Sequence, residues 1–413
     1  MNNDEKYLVI NAGSSSLKFS LYNMPEEKEL INGYIERIGL NDSCWTLKIE
    51  GNKIEHKGSL KNHTDALKIM VKELIDNKII NDISEIKAVG HRILHGGEFY
   101  SESTIIDEDV LKHILDLTKL GPLHHPGEIA GIKAMQKLMP ETPQIAVFDT
   151  AFHQTMPDYN YMYPVPYEWY TKYGVRKYGF HGTSHKYLTE VMQEKLGKKN
   201  VNLIICHIGS GASISAIKDG KCYDTTMGLT PLDGLMMGTR SGAMDPSIIE
   251  YIKKSTNMGV EEITDLLNKK SGLLGISGHS DFRDVEAGVQ KNDYKCKLAY
   301  HLFRDRIVKY IAEFYFELDG KVDAIIFSAG VGENSFGLRK AVVDKLSGPM
   351  SINLNEEANN NIARFKQYQS GVITTNDSKI PVVVIPTNEE IMILRDTYKI
   401  AKLKKEKVYQ KVK

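Results

Sequence analysis

Six short stretches of this chain place histidine, arginine and carboxylates beside glycine in otherwise apolar surroundings: "GHRILHGGEFY", "GPLHHP", "VFDTAFHQTMP", "KYGFHGTSH", "PLDGLMMGTRSGAMDP" and "IPTNEE". Loops that carry binding or catalytic residues are built this way. Any one of them reads equally as a hydrogen-bonded core histidine or a surface ion pair, but six together call for a site. Asp149, Asp245, Glu333, Glu389 and Asn11 offer the oxygen ligands that Mg²⁺ prefers. The H-E-x-x-H pattern of a zinc hydrolase is absent. Arginines, Mg²⁺ and amide-rich loops are the parts required for phosphoryl transfer.

Three glycine-rich turns supply those loops. "YLVINAGSSSLKFSLYN" (7–23) reads as strand, tight turn and strand, with hydroxyls and free N–H groups in the turn and Lys18 just beyond it. "NLIICHIGSGASISAIKDGKCYDTT" (202–226) repeats the order about 190 residues later, ending in a "KDGK" hairpin. Two copies of a strand–phosphate-turn–strand unit predict a duplicated α/β architecture, with both turns at one cleft. "GSGAS" opens an alternating strand instead of a helix, which excludes a dinucleotide fingerprint, and the Walker A pattern is absent. "DAIIFSAGVGENSFGLRKAVVDKL" (323–346) reads as a buried strand, a "GVGEN" loop and a helix whose N-terminus suits an anion or nucleotide.

The elements that must position these loops follow from periodicity. "TDALKIMVKELIDN" and "CKLAYHLFRDRIVKYIAEFYFEL" have helical spacing, with the aromatic stripe of the second assigned to the core. A lysine-rich helix ends the chain. At 413 residues two domains are expected. Lys plus Arg and Asp plus Glu balance at 53 each, so no global field favours nucleic acid or a membrane surface. Apolar runs such as "PVVVIP" are too short to span a bilayer, and "MNNDEKY" is the wrong chemistry for a signal peptide. Cys44, Cys206, Cys222 and Cys296 form no C-x-x-C pair, which points to a reducing cytoplasm.

In this order, "VINAGSSSLKF", "GHRILHGGE", "FDTAFHQTMP", "RKYGFHGTSH", "TPLDGLMMGTRSG", "AGVGENS" and "IPTNEEIMILRDT" resemble the acetokinase family over nearly the whole chain. The resemblance implies duplicated ribonuclease H-like lobes of the actin, sugar-kinase and heat-shock ATPase superfamily around a nucleotide cleft, in a homodimer. The implied domains are 1–150 with a C-terminal helix 386–413, and a nucleotide-binding lobe 151–385. The implied activity is reversible phosphoryl transfer between ATP and acetate, with Mg²⁺ or, as a substitute, Mn²⁺. A propionate kinase of the same family, or an ATPase module without a small-acid substrate, is the alternative.

The same resemblance implies roles residue by residue. Asn11 and Glu389 would sit near the metal, and Lys18 with Ser14 and Ser16 near the phosphates. Arg92 and Arg240 would flank the carboxylate and the phosphoryl group, with His181 and Asp149 beside them. His207, Ile208, Gly209, Ser210 and Gly211 would meet the β- and γ-phosphates. Asp281, Phe282 and Arg283, with Gly330, Val331, Gly332, Glu333 and Asn334, would hold the adenosine end, Phe282 being free to pack on the base. Leu94, Leu123, Phe180 and Pro231 would line the substrate methyl pocket. Two departures stand out: Ser210 replaces the family's asparagine in H-x-G-N-G, and His125 replaces that of P-L-H-N-P. A carboxylate acceptor is already ionised near neutral pH, so no general base is needed, and Asp149 is expected to orient its neighbours.

Overall fold

Strict alternation organises the first sheet. Leu8, Ile10 and Ala12 of the opening strand enter one buried cluster while Tyr7 and Val9 enter another, as a strand buried on both faces requires. The computed structural model describes residues 5–122, 124–362 and 370–411, with side chains of the last helix described through Leu403. The chain divides into two compact units, Met1–Phe152 with Asn388–Lys413, and His153–Thr387.

In the first unit the described strands are β1 (Glu5–Ala12), β2 (Ser16–Met24), β3 (Lys28–Glu36), β4 (Ser43–Ile49), β5 (Asn52–Gly58), β6 (Ile86–Ile93), β7 (Thr104–Ile105) and β8 (Gln144–Phe148). They pair in the order β5-β4-β3-β2-β1-β6-β8-β7. The β1–β5 meander is antiparallel, whereas β1–β6 and β6–β8 are parallel. The β4–β5 hairpin is an addition that the sequence reading did not anticipate. Ala66, Leu67, Met70 and Leu74 of the helix His63–Asp76 cover one face. Ile391, Ile393 and Leu394 of the helix Glu389–Lys411 cover the other.

The second unit uses β9 (Leu203–Ile208), β10 (Ala212–Lys218), β11 (Lys221–Thr225), β12 (Ala324–Ser328), β13 (Gly371–Val372) and β14 (Val382–Val384), paired as β11-β10-β9-β12-β14-β13. The five strands β11-β10-β9-β12-β14 repeat the order and sense of β3-β2-β1-β6-β8: two successive antiparallel pairings on one side of the central strand and two successive parallel pairings on the other. The duplication expected from the two strand–turn–strand copies is therefore present in the topology. "KDGK" forms the predicted hairpin, with Asp219 (φ 52°) and Gly220 (φ 77°) both left-handed, as a two-residue turn between twisted strands demands.

Two local expectations are corrected. "GVGEN" is not a loop: Ala329–Asn334 forms its own short helix before the longer helix Phe336–Met350. Within the helix Tyr294–Glu317, Phe303 and Phe314 are core residues, but Phe316 is 77% exposed, because the stripe spans more than one helix face.

The C-terminal helix lies directly on β6. A Cβ on Gly90 would stand 2.1 Å from Thr397 Oγ1 and 2.9 Å from Ile393 Cγ2, both buried side chains. Gly90→Ala is expected to cost about 1–3 kcal/mol, the scale of overpacking a filled core. Chemical denaturation checks this; an unchanged midpoint would mean the helix docks elsewhere.

Candidate active site

Both phosphate-type turns lie between a central strand and its antiparallel neighbour. In the first, Gly13 N–H donates to Ser16 O (2.9 Å), and His63 Nε2 lies 2.7 Å from the Gly13 carbonyl. Gly127 of the helix His125–Leu138 packs so closely that a Cβ there would lie 2.5 Å from that carbonyl oxygen. Ser14 is exposed and Ser16 half-buried. Asn11 and Lys18 are cross-strand partners, and Lys18 Nζ lies 3.6 Å from Glu390 Oε1. Ser20 and Tyr22 donate to the other oxygen of Glu390 at 2.6 and 3.2 Å. Glu389, the first residue of its helix, is half-buried.

Arg92 on β6 and Asp149 just beyond β8 form a bidentate pair. Arg92 Nε donates to Oδ1 (3.1 Å) and Nη2 to Oδ2 (2.5 Å), while Asp149 N–H is held by Ile93 O (2.9 Å). Burial opposes the charge on Arg92, but the Asp149 and Glu389 carboxylates outweigh it and raise its pKa above the ordinary guanidinium value. Buried Leu94 follows two residues later, its N–H donated to Glu128 Oε1 (3.0 Å). Leu123 lies outside the described residues.

In the second unit, His181 immediately precedes the helix Gly182–Leu196 in a left-handed conformation (φ 58°). Its ring stacks on His207 at 4.2 Å. Ser213 Oγ lies 2.9 Å from His181 Nδ1 and 2.8 Å from His185 Nε2. His185 is fully buried, burial drives its pKa well below the usual histidine value, and its Nδ1 has no hydrogen-bond partner among the described residues. An orphaned lone pair is cheaper than an orphaned N–H, so the His185 proton belongs on Nε2, donated to Ser213. Ser213 O–H then donates to His181 Nδ1, which puts the His181 proton on Nε2. A Cβ on Gly211 would lie 3.6 Å from that Nε2 and 3.7 Å from Arg240 Nη1, so both nitrogens converge beside the glycine turn.

Arg240 differs from Arg92. Its Nη1 reaches Pro231 O (3.3 Å) and Met237 Sδ (3.6 Å), and among the described residues no carboxylate pairs with it. Burial lowers its pKa. A half-buried guanidinium without an anion is a binding position for one.

Next to Arg240 opens a cavity of about 780 Å³, lined by Gly209–Gly211, Gly238–Arg240, Ser280–Arg283, Gly330, Val331 and Asn334. Its size suits a nucleotide. Not every residue assigned to the nucleotide lines this cavity. His207 and Ile208 lie outside the lining: Ile208 is fully buried, and His207 Nδ1 is 2.8 Å from Ser184 Oγ. Gly332 and Glu333 are buried and also lie outside the lining, with Glu333 Oε1 accepting from Thr387 N–H (3.2 Å). Phe282 lines the cavity but is only 4% exposed, its ring packed between Tyr300 and Phe303 (5.7 and 5.1 Å), so it is a core ring and not a free platform for a base. Asp281 caps the helix Phe282–Gln290 by accepting from Arg283 N–H (2.9 Å), and the exposed Arg283 side chain folds back onto the same carboxylate. Phe180 is buried, and Pro231 half-buried.

Three residues near this cavity escaped the sequence reading. Glu286 and Ser335 line it together, Ser335 Oγ donating to Glu286 Oε1 at 2.6 Å. Arg339 is fully buried and donates to Gly332 O (2.9 Å) and Glu333 O (2.8 Å), closing the last carbonyls of the Ala329–Asn334 helix. In sequence Arg339 is one more charge in "GLRKAVV", and no local signal marks it as buried. Among the described residues no group of three His, Cys, Asp or Glu side chains is arranged around a metal position. No described helix is long and apolar enough to cross a membrane.

Duplicated strand order, phosphate-type turns, convergent arginine and histidine, and a nucleotide-sized cavity fit a phosphotransferase built from two sheets of the same topology. A family model described as the acetokinase family matches residues 6–395, and the chain belongs to that family. It is 50% identical over 401 residues to the acetate kinase of Thermoanaerobacterium thermosaccharolyticum, covering 96% of this chain and 98% of the relative. The structure of Porphyromonas gingivalis acetate kinase superposes with a TM-score of 0.90 at 40% identity, covering 96% and 99% of the two chains. A propionate kinase from Francisella tularensis superposes with a TM-score of 0.90 at 42% identity, covering 96% and 100%.

Ser213→Ala is expected to release His181 and lower turnover roughly tenfold, the scale of one good hydrogen bond, with nucleotide affinity retained. Steady-state kinetics and nucleotide titration measure the two separately. Unchanged turnover would show that Ser213 does not hold the His181 ring.

Proposed function

We propose that this chain catalyses reversible Mg²⁺-dependent phosphoryl transfer between ATP and acetate, giving acetyl phosphate and ADP. The observation that carries the reading is Arg240: a half-buried guanidinium without a carboxylate partner among the described residues, beside His181 and the Gly209–Gly211 turn. Membership of the acetokinase family supports acetate as the acceptor. A carboxylate oxygen attacks the γ-phosphorus as the bond from phosphorus to the β,γ-bridging oxygen breaks, and ADP leaves. The acceptor is already ionised at neutral pH, so the barrier is the approach of two anions. Arg240 and the Nε2–H of His181 would meet the equatorial oxygens, and Arg92, oriented by Asp149, would hold the acceptor carboxylate.

Mg²⁺ fits the oxygen donors of Asn11 and Glu389, because this ion keeps most of its waters and binds substrate phosphates beside one or two protein ligands. When bound it neutralises phosphate charge. The Gly209–Gly211 turn, with Ser210, and the Ser14–Ser16 turn, with Lys18, are assigned to phosphates, and the cavity to the adenosine end. There the Glu286 carboxylate suits a hydroxyl or amino donor and not a phosphate. We extend the domain reading accordingly, with 151–385 as the nucleotide-binding lobe and 1–150 with 386–413 as the other. A homodimer and a cytoplasmic location complete the proposal, the second on the free thiols of all four cysteines.

Hydroxamate trapping of the acyl phosphate, with ATP and acetate, tests the reaction. Arg92→Ala and Arg240→Ala are each expected to lower turnover roughly 10²-fold or more, about 3 kcal/mol of transition-state stabilisation. Near-normal turnover in both folded variants would remove the assignment, and equal activity with pyrophosphate as donor would remove ATP.

The likeness to a propionate kinase makes acid preference a separate question. Leu94 is buried behind Arg92, and Gly121 is packed so closely that a Cβ there would touch Leu94 Cδ2 at 3.2 Å. An extra substrate methylene gains about 0.8 kcal/mol by burial, while overpacking costs about 1–3 kcal/mol. Acetate is therefore expected to lead propionate roughly tenfold in kcat/KM. Leu94→Ala should narrow the ratio by improving propionate. A wild-type preference for propionate would overturn acetate while leaving the kinase in place.

A further inference from the structure

One buried acid beside Arg92 has no part in the reaction as described. Glu128 is 2% exposed on the helix His125–Leu138, and its Oε1 accepts the Leu94 N–H at 3.0 Å. Its Oε2 has no hydrogen-bond partner among the described residues. The same is true of Nε2 of His125, fully buried one turn earlier and 3.9 Å away. His125 Nδ1 lies 3.0 Å from the Ile114 carbonyl, so Nδ1 carries the proton and Nε2 presents a lone pair. A carboxylate oxygen facing a lone pair in a dry site is repulsive. A carboxylic acid facing it is not, because the acid proton turned toward the nitrogen replaces a repulsive contact with an attractive one, even though 3.9 Å is longer than a hydrogen bond.

The pair also stands against the acceptor wall. The point a Cβ would occupy on Gly121 lies 3.0 Å from His125 Cδ2, 3.2 Å from His125 Nε2 and 3.2 Å from Leu94 Cδ2. The charged groups acting on Glu128 are Arg92 from β6 and Asp149 after β8, with His125 the titratable neighbour on its own helix. Arg92 already feels the Asp149 and Glu389 carboxylates, so an ionised Glu128 would add a further negative charge where an anionic acceptor must approach.

We propose that Glu128 is a positioning residue for the acceptor site: as a neutral acid facing His125, it anchors the Leu94 backbone behind Arg92 without adding its own negative charge beside that arginine. The inference rests on the acceptor role given to Arg92 above. Burial pushes the Glu128 carboxyl up to about 8, Arg92 and the Leu94 N–H pulling against it, and burial pushes His125 down to about 4, so the neutral pair is the form present at pH 7. As pH rises through 8 the carboxyl ionises and acceptor binding weakens. By linkage, acceptor binding above pH 8 must draw a proton back onto Glu128.

The test compares the wild type with Glu128→Gln, whose carbonyl still accepts from Leu94 and whose amide N–H faces His125. For the wild type, KM for acetate is expected to rise roughly five- to tenfold between pH 7 and 9, with KM for ATP flat over that range. Calorimetry in buffers of different ionisation heat should show uptake of a fraction of a proton per acetate bound at pH 8.5. The variant should keep the low KM to pH 9 and take up no proton. A third protein, Glu128→Leu, loses the Leu94 anchor and should show a raised acetate KM at every pH. A variant KM that climbs in parallel with the wild type, the same proton uptake in both, or a wild-type KM in Glu128→Leu each overturns the proposal. Wild-type turnover of acetate with ATP at pH 7 tests the underlying reaction separately.

Discussion

The bidentate contact between Arg92 and Asp149 is the interaction around which the first unit is arranged. Two buried charges are tolerated only when geometry is good and the remaining polar atoms are satisfied. Here the geometry comes from parallel pairing of β6 and β8, which sets Arg92 opposite Val147, two residues before Asp149. The Asp149 N–H returns to Ile93 O, which fixes the Asp149 backbone beside β6. Glycine at position 90 lets the C-terminal helix settle against β6, and that helix begins at Glu389, whose charge also acts on Arg92. An arginine held in this way is pre-organised, and little side-chain entropy remains to be lost when an anion arrives.

The second unit solves the complementary problem with the same topology. Its arginine is left without a carboxylate among the described residues, and its histidine is fixed from behind by a serine shared with the fully buried His185. The left-handed backbone at His181 is a local cost that the surrounding contacts must hold in place, and such strain gathers where a side chain has to be aimed. The chain carries no net charge. Attraction for phosphate therefore comes from a few oriented groups in partly dry surroundings, where each acts more strongly than a diffuse surface field.

Arg339 shows how much of such a site is support. It donates to the carbonyls that end the Ala329–Asn334 helix and to Asn359, so a full positive charge is used to hold backbone in place. Gly330, Val331 and Asn334 then line the cavity, while Gly332 and Glu333 sit beneath them. Expectations built on the "GVGEN" string treat its five residues alike. In the folded chain they divide into wall and foundation, because a helical turn points successive side chains in different directions.

The sequence by itself determined the alternating strands, the two strand–turn–strand copies, the Asp219–Gly220 hairpin and the set of glycine-flanked charged residues. Each of these is a relation among neighbours in the chain: period-two burial, turn chemistry, or a short motif. Only the tertiary structure decided that Arg92 pairs with Asp149 while Arg240 keeps no carboxylate among the described residues, that Ser213 joins two histidines, and that Glu128 and Arg339 are buried. It also decided that the Phe282 ring belongs to the core. Those outcomes depend on which distant segments exclude water from a given side chain. A histidine, a glutamate or a phenylalanine looks the same in sequence whether it ends up wet or dry, but its charge, its tautomer and its available surface do not survive that difference unchanged.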